Sequence, residues 1–234
     1  MATGQTVEVR SHSDGSLVWS QQVSGSNTGA IAVDSAGDVV AYACSAVARF
    51  DSGGHALASW PLPATANACP GTMFSLTGNL VFDSQDDLYV YVAGGSASVG
   101  TVTRFDPTGI ATSFSAPSLV VTALNPANLR FVVIAPGANG HVVTAIPDFP
   151  NVYITPLSGV TVASFAPTGV ADWTLEKTGD GEEVPFDTYE VFDGVIASDL
   201  ACTSTGLCAL IGEHYVSNGG ADPTSSNWIE LLQQ

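Results

Sequence analysis

Apolar and polar residues alternate in short runs along most of this chain, and the runs are separated by turns rich in Asp, Ser, Thr and Gly. Such alternation is the signature of half-buried β-strands, and a glycine-closed turn between two runs marks a hairpin. One hairpin segment recurs four times: VEVRSHSDGSLVWS at 7–20, VARFDSGGHALASW at 47–60, VTRFDPTGIATSFS at 102–115 and VASFAPTGVADWTL at 162–175. Each copy has a turn glycine (Gly15, Gly54, Gly109, Gly169) and a second strand ending near an aromatic residue (Trp19, Trp60, Phe114, Trp173). Self-similarity of this kind predicts a repeat architecture.

Between the copies lie hairpins of a second type, AIAVDSAGDVVAYAC at 30–44 and NLVFDSQDDLYVYVAG at 79–94. Asp34 and Asp83 open their turns, because an Asp carboxylate at the first position accepts bonds from nearby backbone N–H groups. Gly37 closes the first turn, and Asp86 stands in its place in the second, a residue that visits the left-handed region more readily than most. Asp106-Pro107-Thr108-Gly109 has the favoured type I turn filling. Residues 130–135 and 141–146 read as a third inner hairpin with an extra strand near 151–155, and 194–201 with 207–215 as a fourth. The closing SNWIELLQQ is strand-like, and no amphipathic helix is evident.

One unit is thus an inner hairpin followed by an outer hairpin. Four-stranded units at this spacing describe the blades of a β-propeller rather than the tighter coils of a β-helix. The expectation is an all-β chain forming a single β-propeller domain over 1–234, with about four to five four-stranded blades, or a segment of a larger propeller. Its units fall near 1–28 (an outer hairpin), 29–62, 78–116, 118–176 and 190–234. In a closed ring the first outer hairpin completes the blade begun by the last inner hairpin, which leaves 228–233 as a surplus strand.

The alternation of IAVDSAGDVV and LVFDSQDDLYV hairpins with Arg-Phe-Asp-x-x-Gly segments resembles bacterial secreted and cell-surface β-propeller repeat proteins, of the NHL-like and quinoprotein-like kind. The resemblance covers about half the chain, most strongly 6–115, and fades where Ser164 and Ala166 replace the Arg and Asp. It implies the fold, and a role among the adhesins, scaffolds, lectins and occasional enzymes that such propellers supply.

Charge narrows the partners. Five Lys and Arg face 22 Asp and Glu, a formal net charge of −17, which repels nucleic acid and anionic headgroups. No apolar run is long enough for a membrane-spanning helix, so no membrane insertion is expected. The start MATGQTVEVR has neither the basic nor the apolar region of a signal peptide. That leaves a cytosolic chain, or a mature or excised segment of an exported one, and the cysteines tip the choice. Cys202 and Cys208 bracket a TSTGL turn, and Cys44 with Cys69 makes a plausible second bridge. Four cysteines allow three pairings, and without a Cys-x-x-Cys the spacing favours disulfides over zinc. A secreted or cell-surface location is therefore expected.

Each candidate for chemistry competes with a structural role. Arg10, Arg49 and Arg104 share one repeat position and either line a channel or, as repetition favours, bond to a neighbouring blade's turn carboxylates. The repeated aromatics read as packing residues. The off-repeat aromatics Tyr189, Phe192, Tyr215 and Trp228 are the better ligand-binding candidates. Asp180, Glu182, Glu183 and Asp187 crowd one acidic connection and are the candidate ligands for Ca²⁺, against the commoner outcome of a solvated charge run. An EF-hand is not present: after Asp83-Ser-Gln-Asp-Asp87, Leu88 and Gly94 stand where Gly and Glu are required. The four histidines are scattered, and hydrolase, metalloprotease, P-loop and dinucleotide motifs are missing.

The leading expectation is a non-enzymatic extracellular binding or scaffolding module whose ligand is a protein or a glycan. One alternative is a propeller hydrolase or lyase with a metal-assisted axial site. Another is a structural subunit of an extracellular assembly, with self-association through the terminal strands.

Overall fold

The structure is a computed structural model that describes residues 5–23, 30–43, 45–63, 79–92, 101–115, 133–148, 159–178, 191–218 and 224–233. Among the described residues, seventeen strands form five antiparallel sheets that follow one another along the chain, and no sheet closes on itself. The first sheet pairs β1 (Gln5–Arg10) with β2 (Leu17–Val23). The second runs through β3 (Ile31–Val33), β4 (Val39–Ala43), β5 (Ala46–Phe50) and β6 (Trp60–Pro61). The third holds β7 (Asn79–Phe82), β8 (Leu88–Val92), β9 (Thr101–Phe105) and β10 (Ala111–Ser115). The fourth holds β11 (Val133–Pro136), β12 (Val142–Asp148), β13 (Gly159–Phe165) and β14 (Ala171–Thr178). The fifth holds β15 (Val191–Cys202), β16 (Leu207–Asn218) and β17 (Thr224–Gln233). The only helical turn among the described residues is Ala138–Gly140.

The expected order of inner hairpin then outer hairpin is what the second, third and fourth sheets show. The two ends of the chain differ from expectation. β17 is not surplus: it pairs along its length with β16 as the third strand of the fifth sheet, because its alternation matches that neighbour from Leu207↔Gln233 to Val216↔Thr224. Among the described residues β1 and β2 form a two-stranded sheet. The fourth inner hairpin is also longer than its sequence suggests, with a register shift between Ala197 and Asp199 that keeps the pairing going. The extra strand expected near 151–155 lies outside the described residues.

The chain forms two compact units, one of residues 1–95 and 100–115, the other of 96–99 and 116–234. In the first, the sheets stack face to face in chain order. Val7, Trp19 and Val23 of the first sheet meet Val39, Ala41 and Phe50 of the second. Val40, Tyr42, Val47, Trp60 and Leu62 on its other face meet Leu80, Leu88, Val90 and Phe105 of the third. β4 is therefore buried on both faces, which explains why its sequence VVAYA is nearly all apolar. In the second unit Val143, Ala145, Val160 and Val162 of the fourth sheet pack on Leu200, Cys208, Leu210 and Leu232 of the fifth.

The turns share one construction. Asp34 Oδ1 accepts from the N–H of Ala36 at 3.0 Å and Asp38 at 2.8 Å, and Asp51, Asp83 and Asp106 repeat the pattern. The fourth residue takes a left-handed conformation, with φ 85° at Gly37, 84° at Gly54 and 89° at Gly109. In the outer turn of the fourth sheet, Gly169 N–H still donates to the Ala166 carbonyl at 2.8 Å, but Ala166 brings no carboxylate. In the β15–β16 turn of the fifth sheet Thr203 stands in place of the Asp, and its hydroxyl accepts from Leu207 N–H at 3.1 Å. Cys202 and Cys208 face each other across that hairpin and are joined by a disulfide, as their spacing suggests. Cys44 and Cys69 lie outside the described residues.

Candidate functional site

The repeated aromatics hold neighbouring sheets together in the first unit. The Trp19 indole covers Gly54, where an added Cβ would sit 2.7 Å from its ring, and stands 5.8 Å from the Phe50 ring. Its Nε1–H donates to the Ser52 carbonyl at 3.2 Å, and the Gln21 amide donates to the Gly54 carbonyl at 2.8 Å. Trp60 repeats the arrangement one sheet on, stacked 5.4 Å from Phe105 and lying over Gly109, where a Cβ would fall 2.3 Å from Nε1. Thus the tryptophan at the end of one outer hairpin caps the turn glycine of the next. Trp173 is half-buried against the cluster between the fourth and fifth sheets. The Phe114 side chain is outside the described set.

The three arginines correct the reading that sends them to a neighbouring sheet's turn. Arg104 on β9 donates through Nε at 3.0 Å, and again through Nη2, to Oδ2 of Asp87, the residue just before β8 in the same sheet. Asp87 is buried, and its carboxylate favours the charged guanidinium, raising the Arg104 pKa. Arg49 lies 4.1 Å above the Trp60 ring of its own sheet, a cation–π contact. Arg10, exposed, bonds Glu8 at 2.7 Å and the Gly15 carbonyl at 3.2 Å. Each of the three thus finds its partner within its own sheet or hairpin.

Two acidic residues escape sequence reasoning. Asp86, at φ 60°, carries its carboxylate to the preceding sheet's inner turn and accepts from Ser35 N–H at 2.9 Å and Ser35 hydroxyl at 2.6 Å. Those Ser35 bonds lower its pKa. The signal was its departure from the glycine at Gly37, which read only as tolerance of the left-handed region. Asp172 is the extra residue in the register shift that pairs Ser164 with Trp173 and Phe165 with Ala171. A bulge re-aims a side chain, and Asp172 Oδ2 lies 2.8 Å from His141 Nε2, while His141 Nδ1 lies 2.8 Å from the Ala138 carbonyl. Both ring nitrogens thus face oxygen atoms, one on the Asp172 carboxylate and one on a backbone carbonyl.

Three of the binding candidates, Phe192, Tyr215 and Trp228, lie on described strands. Tyr189 and the calcium candidates Asp180, Glu182, Glu183 and Asp187 lie outside the described residues. Phe192 stands opposite Ser217 and Tyr215 opposite Gly194 in the fifth sheet, whereas Trp228 stands opposite Gly212, three positions out of step with Tyr215. The three positions do not share one face. Trp228 is half-buried and packs against the cluster between the fourth and fifth sheets. Among the described residues no three His, Cys, Asp or Glu side chains group as a metal site, and no helix is long and apolar enough to cross a membrane.

The chain matches no protein-family profile and no curated protein sequence. In structure it is similar to a protein of unknown function from Bacteroides caccae, with a TM-score of 0.54 and 14% identity over 99% of this chain and 70% of that one. A member of the DUF4221 family from Bacteroides vulgatus aligns over 98% of this chain and 86% of its own at 10% identity, but its TM-score of 0.24 carries no argument. At 14% identity the first likeness speaks to fold alone. What the chain shows is an all-β fold with three four-stranded antiparallel sheets among the described residues.

Proposed function

We propose that the five sheets are successive blades of a β-propeller and that the protein is a non-enzymatic binding or scaffolding module acting outside the cytoplasm on a protein or glycan. One observation carries the reading: the repeated polar and aromatic residues are spent on holding the scaffold. Trp19 and Trp60 cap glycines of the next sheet, Arg104 is consumed by Asp87, and Asp86 ties two inner turns together. In repeat proteins such regular positions build the frame, and ligands are met by what departs from it. In this reading the contact surface comes from the less regular second half, where Tyr189, Phe192 and Tyr215 occur. The Cys202–Cys208 disulfide supports an oxidising compartment.

Glycan-array screening and pull-down with the purified chain test the binding role. Selective retention of a neutral glycan or a basic protein, weakened by Tyr215→Ala or Phe192→Ala, is the expected result. No retention of any kind would leave the structural-subunit reading in its place. Metal analysis addresses the enzyme alternative, since a stoichiometric divalent ion after gel filtration would turn the assignment towards a metal-assisted hydrolase or lyase. Calcium without turnover would instead assign the acidic connection around Asp180 and Glu183 a structural ion.

A further inference from the structure

The turn between β11 and β12 departs from the other inner turns in its first residue. Gly137 N–H donates to the His141 carbonyl at 2.7 Å, as Asp34 N–H does to that of Asp38 and Asp83 N–H to that of Asp87. Gly137 thus holds the place of the clamping aspartates, but it has no carboxylate to accept the N–H groups that follow it. The middle of this turn is Ala138-Asn139-Gly140, where Asn139 is exposed with φ 54° and ψ 34° and Gly140 has φ 76°. Asparagine is among the few residues that enter this left-handed region without great cost.

Asn139-Gly140 is also a reactive pair. The Gly140 backbone nitrogen can attack Asn139 Cγ, because glycine has no Cβ to block the approach. The new C–N bond closes a succinimide ring, and the side-chain amide nitrogen leaves as ammonia, taking the Gly140 amide proton with it. Water then adds to one of the two ring carbonyls and breaks its bond to the ring nitrogen. Opening at the side-chain carbonyl gives aspartate, and opening at the main-chain carbonyl gives isoaspartate, whose backbone runs through Cβ and Cγ. The attack needs rotation about ψ of Asn139, and the missing carboxylate clamp leaves this turn freer to make it than the Asp-opened turns. At the first outer turn Asp14-Gly15 could follow the same route only as the protonated acid. There the Ser16 N–H and hydroxyl, donating at 3.1 and 2.8 Å, hold Asp14 below its ordinary pKa.

We infer that Asn139 is a spontaneous modification site, converted by water through the succinimide to aspartate and isoaspartate, and that the isoaspartyl form unfastens the β11–β12 turn. His141 N–H donates to the Ala138 carbonyl at 3.0 Å, and His141 Nδ1 lies 2.8 Å from the same oxygen. An extra methylene between Ala138 and His141 lengthens the path that these contacts close. His141 is also the link from this turn to β14, with Nε2 2.8 Å from Asp172 Oδ2. The aspartyl form keeps the backbone length and with it the turn. The inference concerns the ageing of one turn and is independent of the binding role proposed above.

The test incubates the folded chain at mildly alkaline pH in water enriched in heavy oxygen and maps its peptides by mass spectrometry. The peptide containing Asn139 should take up the heavy oxygen and become a substrate for an isoaspartyl methyltransferase. It should do so ahead of peptides containing Asn79 or Asn227, which are followed by Leu80 and Trp228. Asn139→Gln should show neither change at this peptide. Aged protein should melt at a lower temperature than fresh protein, whereas fresh Asn139→Asp, which carries the charge without the added methylene, should melt as the fresh protein does. Conversion at Asn139 no faster than at Asn79 would overturn the site. An equal loss of melting temperature in aged Asn139→Gln, or none in the aged protein, would overturn the unfastening of the turn.

Discussion

Gly109 and Gly15 look alike in the sequence, each closing an outer turn, yet they differ in what surrounds them. Gly15 has φ 71° and nothing within 4 Å of a Cβ, whereas Gly109 has φ 89° and the Trp60 indole at 2.3 Å. Gly15→Ala should therefore cost only the left-handed backbone penalty of about 1–2 kcal/mol. Gly109→Ala adds overpacking of a buried aromatic and should cost about 3–4 kcal/mol in urea unfolding. Equal costs would mean that Trp60 yields freely. Ala166 offers the opposite experiment. Its turn keeps the shape of the Asp51 and Asp106 turns without the carboxylate, so Ala166→Asp should gain about 0.5–1 kcal/mol by accepting the turn N–H groups. That gain should vanish when the new carboxylate is protonated, which a melt at acidic pH would reveal.

At the scale of elements, two cross-links stabilise sheets in different ways. The Cys202–Cys208 bridge closes a short hairpin with a sequence separation of 6, so reducing it should cost about 2 kcal/mol at most, chiefly by freeing the unfolded chain. Thermal melts with and without a strong reductant measure the difference, and complete unfolding on reduction would show that the bridge carries the fifth sheet. The Arg104–Asp87 pair ties β9 to the turn before β8. Removing one partner, as in Asp87→Ala, strands a cation and should cost about 3 kcal/mol. Replacing both, as in Asp87→Leu with Arg104→Met, should recover much of that loss. Additive costs in this double-mutant cycle would mean that the pair contributes nothing beyond its separate side chains.

For the whole molecule, acid and alkali act through different groups. Bonds from Ser16, His55, Ser35 and Thr108 lower the pKa of Asp14, Asp51, Asp86 and Asp106 respectively below their ordinary 3.8. A folded pKa below the unfolded one stabilises above the unfolded value, and the contribution is lost as pH falls through the folded value. The melting temperature should therefore drop below about pH 4, as many turns lose their acceptor together. Burial raises Tyr42 from 10.0 to about 12, and Tyr89 and Tyr91 move the same way. Their contribution is complete below pH 10 and fades as pH rises through the folded values, so alkaline unfolding should coincide with a rise in tyrosinate absorbance. Tyrosines that titrate freely before the fold is lost would contradict the burial of the inner strands.

Alternation and turn chemistry are local, so the sequence alone determined the strands of the second and third sheets, the Asp-opened turns and the hairpin between Cys202 and Cys208. Five paired residues and a turn specify a hairpin without knowledge of anything distant. What the sequence left open depended on contacts between segments far apart in the chain. The apolar run in β4 became intelligible only with a sheet on each face, and Asp86 only with Ser35 beside it. Arg49, Arg104 and Arg10 share a repeat position but found three different partners, because a long guanidinium takes whichever acceptor or ring its own sheet brings within reach. β17 read as surplus because its neighbour could not be seen in the sequence. Pairing register decided its place, and register is settled by the matching of whole strands in space.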